Sequence, residues 1–202
     1  AFGRYDLTDK IALRADIATY NVDYTDDWND NWDRGDDRLS GTLYYHLTSK
    51  ASFFAEYEKI TTNYDKRSEF DTEETAILGG VQWDVTDKST GLVKFGWFDR
   101  TFNRDRSMDE ASYRLELQLN HWFTSKTRVT LRTYRRATET NWFSSAYLVT
   151  NYAAIGYRQR IRSKLHLNLD LSYWTDSYEV ETIPDFNEDY YQGSVGLSYA
   201  FR

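Results

Sequence analysis

The sequence contains no cysteine, a single proline and a single methionine. The absence of cysteine excludes disulfide bonds, thiolate nucleophiles and cysteine-ligated metal centres. No stretch approaches the roughly 18 to 20 consecutive apolar residues that a membrane-spanning helix needs, and the mean hydropathy is −0.76. The net charge is −7, and the lysines and arginines are dispersed along the sequence. We therefore expect neither a helical membrane protein nor a partner made of nucleic acid.

Aromatic residues, by contrast, are abundant. Phe, Trp and Tyr make up 17% of the sequence, and 17 residues are tyrosine. Such a content is too high for most soluble domains and suits amphipathic rings at a boundary between membrane and water. A transmembrane β-strand needs only about 10 residues and shows lipid a single face, so a barrel keeps a low mean hydropathy.

A short polar turn that ends in lysine recurs along the chain. The lysines are spaced 40, 38, 38 and 38 residues apart. Each turn separates two segments rich in β-branched and aromatic residues, a pattern typical of a β-hairpin. The turns are Leu7-Thr-Asp-Lys10, Leu47-Thr-Ser-Lys50, Val85-Thr-Asp-Lys88, Phe123-Thr-Ser-Lys126 and Ile161-Arg-Ser-Lys164.

The segments between the turns alternate apolar and polar residues with period two. In the clearest one, Tyr113, Leu115, Leu117 and Leu119 alternate with polar or charged neighbours, as strands with one polar face do. The pattern predicts an all-β, antiparallel transmembrane β-barrel with about ten full strands and a partial first strand. Because such barrels have an even number of strands, we expect residues 1–202 to be one barrel domain of a larger barrel with further strands upstream. The alternative is that residues 1–10 are a lead-in and that the other ten strands close alone, but the match of residues 5–10 to the turn repeat favours the larger barrel.

Three features favour a membrane barrel over a soluble barrel or sandwich, which remains the alternative. Short turns alternate with long polar loops, as in outer-membrane barrels. Aromatic residues cluster at the strand ends and predict two girdles at the membrane boundary, which include Tyr45, Trp83, Trp122, Trp142 and Trp174. Charged residues on the polar faces need water or partners, so we expect a lumen lined by Arg14, Asp16, Glu56, Glu58, Lys94, Arg114, Glu116, Arg132, Arg136 and Asp170.

The segment Ala76–Trp97, with Gly79-Gly80 and Gly91, and the tyrosine-rich last strand resemble the C-terminal part of the second family of beta-barrel porins. That resemblance implies a bacterial outer-membrane location and association with export of exopolysaccharide or capsule, and it offers no agreed catalytic residues to carry over. Val195, Leu197, Tyr199 and Phe201 also resemble the C-terminal signal that the barrel-assembly machinery reads. The expected partners are therefore outer-membrane lipid, lipopolysaccharide, that machinery and other envelope or export proteins.

The sequence offers few chemical sites. The acidic loop 26–37 could bind a divalent cation through Asp27, Asp30 and Asp33, but a solvated surface loop explains it better, so we expect neither metal nor cofactor. Trp28 and Trp32 could stack on sugars, although the girdle is the favoured role. The three histidines lie in different strands, and no Gly-x-Ser-x-Gly elbow is present.

Three functions follow, in descending order of support. The first is a passive conduit, or an accessory component, for export of polysaccharide or other solutes. In that case the lumen charges form a path in which arginines face acidic sugars. The second is a structural barrel that scaffolds an envelope complex, with the lumen charges paired across neighbouring strands. A lipid hydrolase of the outer membrane is the least supported, because a positioned nucleophile and base are not evident.

Overall fold

The computed structural model describes residues 1–25, 30–86, 88–103, 110–139, 145–180 and 186–201. It contains one antiparallel sheet of eleven strands. Two short 3-10 turns, Asp30–Trp32 and Ser68–Phe70, lie in the long loops. The strands are β1 (Phe2–Asp6), β2 (Ile11–Val22), β3 (Arg34–Thr48), β4 (Ala51–Tyr64), β5 (Thr72–Thr86), β6 (Ser89–Phe102), β7 (Glu110–Thr124), β8 (Thr127–Glu139), β9 (Ser145–Arg162), β10 (Leu165–Val180) and β11 (Phe186–Tyr199).

Each strand pairs with its neighbours in sequence, and the spatial order is β1 to β11 without a crossover. The predicted all-β antiparallel architecture is confirmed, as is the short first strand, which has five residues. Among the described strands, β1 and β11 are the two edges and do not pair with each other, so the sheet is open. No helix in the described part of the chain is long and apolar enough to span a membrane, a finding that concerns helices alone.

The lysine at each short turn connects one hairpin to the next. Its backbone carbonyl accepts a hydrogen bond from a backbone amide at the end of the next strand in the sheet, the one that begins the following hairpin, as in His46 N to Lys10 O at 2.7 Å. The other four bonds have the same form and lengths of 2.7 to 2.9 Å, and they run from Asp84 to Lys50, Trp122 to Lys88, Arg160 to Lys126 and Ala200 to Lys164. The sequence repeat is therefore also a repeat of backbone contacts.

Side chains from strands that do not touch meet across one face of the sheet. Glu58 on β4 contacts Arg114 on β7 at 2.5 Å, although β5 and β6 lie between them. Strands in a sheet are about 4.8 Å apart, so this contact requires the sheet to curve toward that face. We call it the concave face and the opposite one the convex face.

The polarity of the two faces is the reverse of that in a soluble protein. Glu58 and Glu74 on the concave face are only 1% and 2% exposed, whereas Ile77 and Trp97 on the convex face are 68% and 62% exposed. The convex face continues across the sheet as an apolar surface to Leu197, which is also well exposed. Soluble monomers rarely expose an apolar surface of that extent.

The loop ends of β8 and β9 depart from the regular sheet. Pairing between β7 and β8 begins only at Leu115 and Arg135. Beyond that point the ring of Tyr147 on β9 lies 6.2 Å from the ring of Phe102 on β6. Both side chains belong to a buried apolar cluster with Leu78 and Phe98. The far end of this hairpin therefore packs against β5 and β6.

Gly96 permits the close approach of β5 and β6. A Cβ atom at this position would lie 2.7 Å from the Cα atom of Leu78, closer than real contacts allow. We expect Gly96→Ala to reduce the free energy of unfolding by about 1 to 3 kcal/mol, the usual cost of overpacking. Urea denaturation of the protein folded in detergent measures this change.

Gly41→Ala is the matched control, because a Cβ atom there meets nothing within 4 Å. We expect this variant to unfold at the same urea concentration as the parent or slightly above it, since alanine restricts the unfolded chain. Equal loss of stability in both variants would contradict the steric explanation.

Candidate functional site

The concave face gathers all ten of the polar residues that the sequence suggested for the lumen. Strand register places them there: Arg14 and Glu56 both flank Thr42, for example, and Lys94 lies opposite Glu116. The face divides into two parts that differ in charge. We call the part on β2 to β7 the paired region and the part on β8 to β11 the basic region.

In the paired region, two buried glutamates each bind two arginines. Glu58 contacts Arg38 and Arg114, the latter at 2.5 Å, and Glu74 contacts Arg114 and Arg100, the latter at 2.7 Å. Removing two carboxylates from water costs several kcal/mol each, and only close, multiple contacts with cations offset that cost. This chain of alternating charges therefore fills the paired region of the concave face and links five strands, β3 to β7.

The remaining charges of this region are also paired. Lys94 contacts Glu56 at 3.1 Å and Glu116 at 3.9 Å, and Arg14 contacts Asp16 at 2.7 Å. Lys94 and Glu56 are largely buried, whereas Glu116 is 47% exposed and the Arg14 and Asp16 side chains are 42% and 32% exposed. Little uncompensated charge is thus left here for a ligand.

The basic region is different, because three of its arginines have no acidic partner among the described residues. Arg128, Arg132 and Arg158 line a cavity of about 330 Å³ together with a single carboxylate, that of Asp170. In the described part of the chain none of the three arginines forms an ion pair. Arg136, further along β8, lies with its guanidinium 4.7 Å from the ring centre of Tyr134.

Two of these arginines were missed by the sequence analysis, which found the cations to be dispersed. Arg128 and Arg158 lie on different strands, and the register of β8 and β9 places them directly opposite each other. Only the strand pairing, which the sequence does not specify residue by residue, brings them together. Their positions on the polar phase of two adjacent strands are the signal that could have suggested it.

The predicted girdle residues do not share one face. Tyr45 and Trp83 lie on the convex face, where Tyr45 is opposite Phe53 and Trp83 is opposite Ala51. Trp122 lies opposite Arg128 on the concave face, so it does not belong to a belt on the convex surface. The same correction applies to Trp174, and Trp142 lies outside the described residues.

Trp174 instead belongs to a row of rings that crosses four strands on the concave face. The rings of Tyr134 and Tyr152 are stacked at 4.7 Å, and those of Trp174 and Tyr190 at 5.0 Å. Tyr152 and Trp174 are 6.4 Å apart and join the two pairs. Because the rings stack on one another, they present their edges to the space above the sheet.

Asp33 is the one candidate metal ligand of the acidic loop whose side chain is described, and it makes a structural contact. The carboxylate of Asp33 accepts a hydrogen bond from the backbone amide of Tyr24 at 2.7 Å. Asp27, Trp28 and the side chain of Asp30 lie outside the described residues, within which no cluster could hold a metal ion. Trp32 is 6% exposed and packs on neighbouring loop aromatics, so it is not available to stack on a sugar.

A serine and a histidine do meet on the concave face. His46 Nδ1 lies 2.7 Å from Ser52 Oγ, and Arg4 lies 3.2 Å from His46 Nε2. A guanidinium can only donate, so Nε2 must accept and Nδ1 must carry the proton. The imidazole therefore donates to the serine and is not placed to remove its proton, which a hydrolytic nucleophile would require.

We expect the buried glutamates of the paired region to stabilise the fold. Glu74→Gln leaves Arg100 and Arg114 without that carboxylate, and we expect it to reduce the free energy of unfolding by about 3 to 5 kcal/mol. Asp16→Asn is the matched control, since its exposed pair with Arg14 is worth about 1 kcal/mol or less. Urea titrations in detergent measure both, and similar losses would contradict a stabilising role for the buried network.

Comparison with known proteins supports the barrel fold. No curated protein matches the sequence. The crystal structure of the siderophore receptor PirA from Pseudomonas aeruginosa is similar over 98% of this chain, with a TM-score of 0.58 and 15% sequence identity. The chain spans 37% of that receptor's length. The model of the family described as "Putative beta-barrel porin 2" matches residues 2–202. The predicted family and fold class are confirmed, and the chain belongs to this family of β-barrels.

Proposed function

We propose that this protein is a bacterial outer-membrane β-barrel that acts as a passive conduit, or as an accessory component, for export of polysaccharide or other solutes. It works without a cofactor and without catalysis. The observation that carries the proposal is the reversed polarity of the sheet, in which Glu58 and Glu74 are buried while Ile77 and Trp97 are exposed.

The convex face fits a lipid environment. Its exposed side chains are Leu, Ile, Val, Phe, Tyr and Trp on successive strands, and lipid is the surrounding that stabilises such a surface without a second protein layer. Tyr45 and Trp83 lie near the short turns, where amphipathic rings would meet the headgroups. We assign the short turns to the periplasmic side and the long loops to the cell exterior.

The concave face fits an aqueous lumen. The paired region stiffens one part of the wall, and the basic region next to it has open, polar space between its side chains. A hydrophilic solute can replace its hydrogen bonds to water with hydrogen bonds to these polar side chains, and it does so without contact with the apolar convex face. Lipopolysaccharide, the barrel-assembly machinery and proteins of polysaccharide export are the partners that such a barrel would meet.

A structural scaffold in an envelope complex is the second candidate. The observation that favours it is the paired region itself, where buried side chains from four strands fill the concave face and their charges compensate one another. A wall filled in this way transmits force and holds shape, and it leaves less room for transport.

The membrane assignment predicts resistance to denaturation. We expect the protein, folded in detergent, to migrate at different apparent masses in gel electrophoresis before and after heating, because the backbone hydrogen bonds of a barrel survive until heat breaks them together. Identical migration of both samples, with solubility in the absence of detergent, would show that the convex face does not contact lipid.

Conduction separates the two candidate functions. We expect discrete current steps when the folded protein is added to a planar lipid bilayer, because ions can follow the polar concave face. Electrical silence of protein that is shown to be inserted and folded would exclude the conduit and leave the scaffold.

A further inference from the structure

We propose that the basic region binds the acidic groups of an anionic oligosaccharide, through Arg128, Arg132 and Arg158. This inference rests on the proposed function, because it names the class of solute that the conduit would favour. The three arginines lie on two adjacent strands, β8 and β9, and face the same cavity of about 330 Å³ on the concave face.

The first support is that these charges are not compensated within the described part of the protein. Arg100 and Arg114 in the paired region contact buried glutamates. Among the described residues, none of the three cavity arginines forms an ion pair, and the guanidinium carbon of Arg128 lies 5.8 Å from the ring centre of Trp122. An arginine that folding does not use retains its donors for a ligand.

The second support is the direct opposition of two like charges. The register places Arg128 opposite Arg158, an arrangement that destabilises a pair of strands. A local arrangement that opposes folding is expected at functional positions, where a ligand supplies the missing charge. An oxyanion between the two guanidinium groups would accept hydrogen bonds from both.

The other charged groups nearby do not cancel this potential. Asp170 is the single acidic residue of the cavity, and Ser194 lies 3.4 Å from one of its oxygens. Toward the short turns, Lys126, Arg160 and His166 extend the basic surface. Glu116 on β7 lies beside Lys94, and the β7 residues that face Arg132 and Thr130 are the uncharged Gln118 and Asn120.

The third support is the shape and chemistry of the surface between the arginines. Arg128 and Arg132 are four residues apart on one strand, which places their backbones about 13 Å apart along the strand. The side chains around them include Thr130, Asn168 and Ser172, whose hydroxyl and amide groups bind sugar hydroxyls. Charges separated along an axis, with neutral polar groups between them, fit an extended acidic sugar better than a compact anion or a lipid tail.

Binding can be measured on the full chain folded in detergent, with trigalacturonate as the anionic probe and maltotriose as the neutral one of equal length. We expect calorimetric titration at low salt to detect trigalacturonate and not maltotriose. The affinity should fall as salt rises, because the contacts are between opposite charges in an aqueous space.

The variant that tests the site is the double substitution Arg128→Gln and Arg158→Gln. We expect at least a roughly tenfold loss of affinity for trigalacturonate, since two charge-assisted hydrogen-bonding groups are removed. The matched control is Arg135→Gln, which removes one charge from the same strand on the convex face, where the arginine hydrogen-bonds Asn151. Circular dichroism and heat-dependent migration establish that each variant is folded.

Equal binding of the two probes, no binding of trigalacturonate by the parent protein, or equal losses in the double variant and the Arg135 variant would each overturn the proposal. Because titration in detergent needs no pore, its outcome is independent of the conductance measurement. Conductance without trigalacturonate binding would refute this inference alone, and binding without conductance would support it while refuting the conduit.

Discussion

Backbone hydrogen bonding between strands that follow one another in sequence is the interaction on which the rest of this structure depends. Every strand from β1 to β11 lies beside its sequence neighbours, so no contact in the sheet requires a long connection. Apolar burial, which organises most soluble domains, contributes less here, because the apolar side chains point to the convex surface and remain exposed. The side-chain arrangement on both faces follows from this pairing and from the period of two along each strand.

The buried ion pairs follow from the curvature that the pairing allows. Once the sheet bends, side chains on β4 and β7 approach closely, and Glu58 and Glu74 are removed from water on the concave face. A carboxylate in that position requires cations from more than one strand, and Arg114 supplies contacts to both. The network is therefore a consequence of curvature, and it also resists flattening of the wall. The adjacent basic region has the same curvature without the acidic partners.

The alternation of residues was enough to predict the strands, the turns and a shared face for the charged side chains of the clearly alternating strands, because those properties are local. Arg14, Lys94 and Asp170 all lie on the face that their phase indicated. Alternation did not predict which charges meet. The sequence suggested pairing across neighbouring strands, yet Lys94 contacts Glu56 on the second strand over. That contact depends on register and curvature, which are not encoded in any single segment.

Trp122 and Trp174 show that position along a strand was also not enough to predict the aromatic girdle. Their nearness to strand ends suggested a girdle, but position along a strand does not determine the face, and their phase places both on the concave side. For Tyr45 and Trp83 as well, the phase of alternation indicated the face of the sheet more reliably than nearness to a strand end did. The opposition of Arg128 and Arg158 could be found only after the strands were paired.

The hydrogen bond to the backbone carbonyl of each turn lysine bears on how the number of strands in such a sheet could change. Every hairpin presents the same acceptor to the next one, from Lys10 to Lys164, so the joint between hairpins is the same at each step. If a whole hairpin were gained or lost at such a joint, the polar side chains would stay on the concave face and the short turns would stay at the same edge of the sheet. A single strand could not be gained or lost in this way, because its loss would reverse the direction of every strand that follows it. The number of strands in such a sheet would therefore change only in steps of one hairpin, and the width of the sheet would change in the same steps.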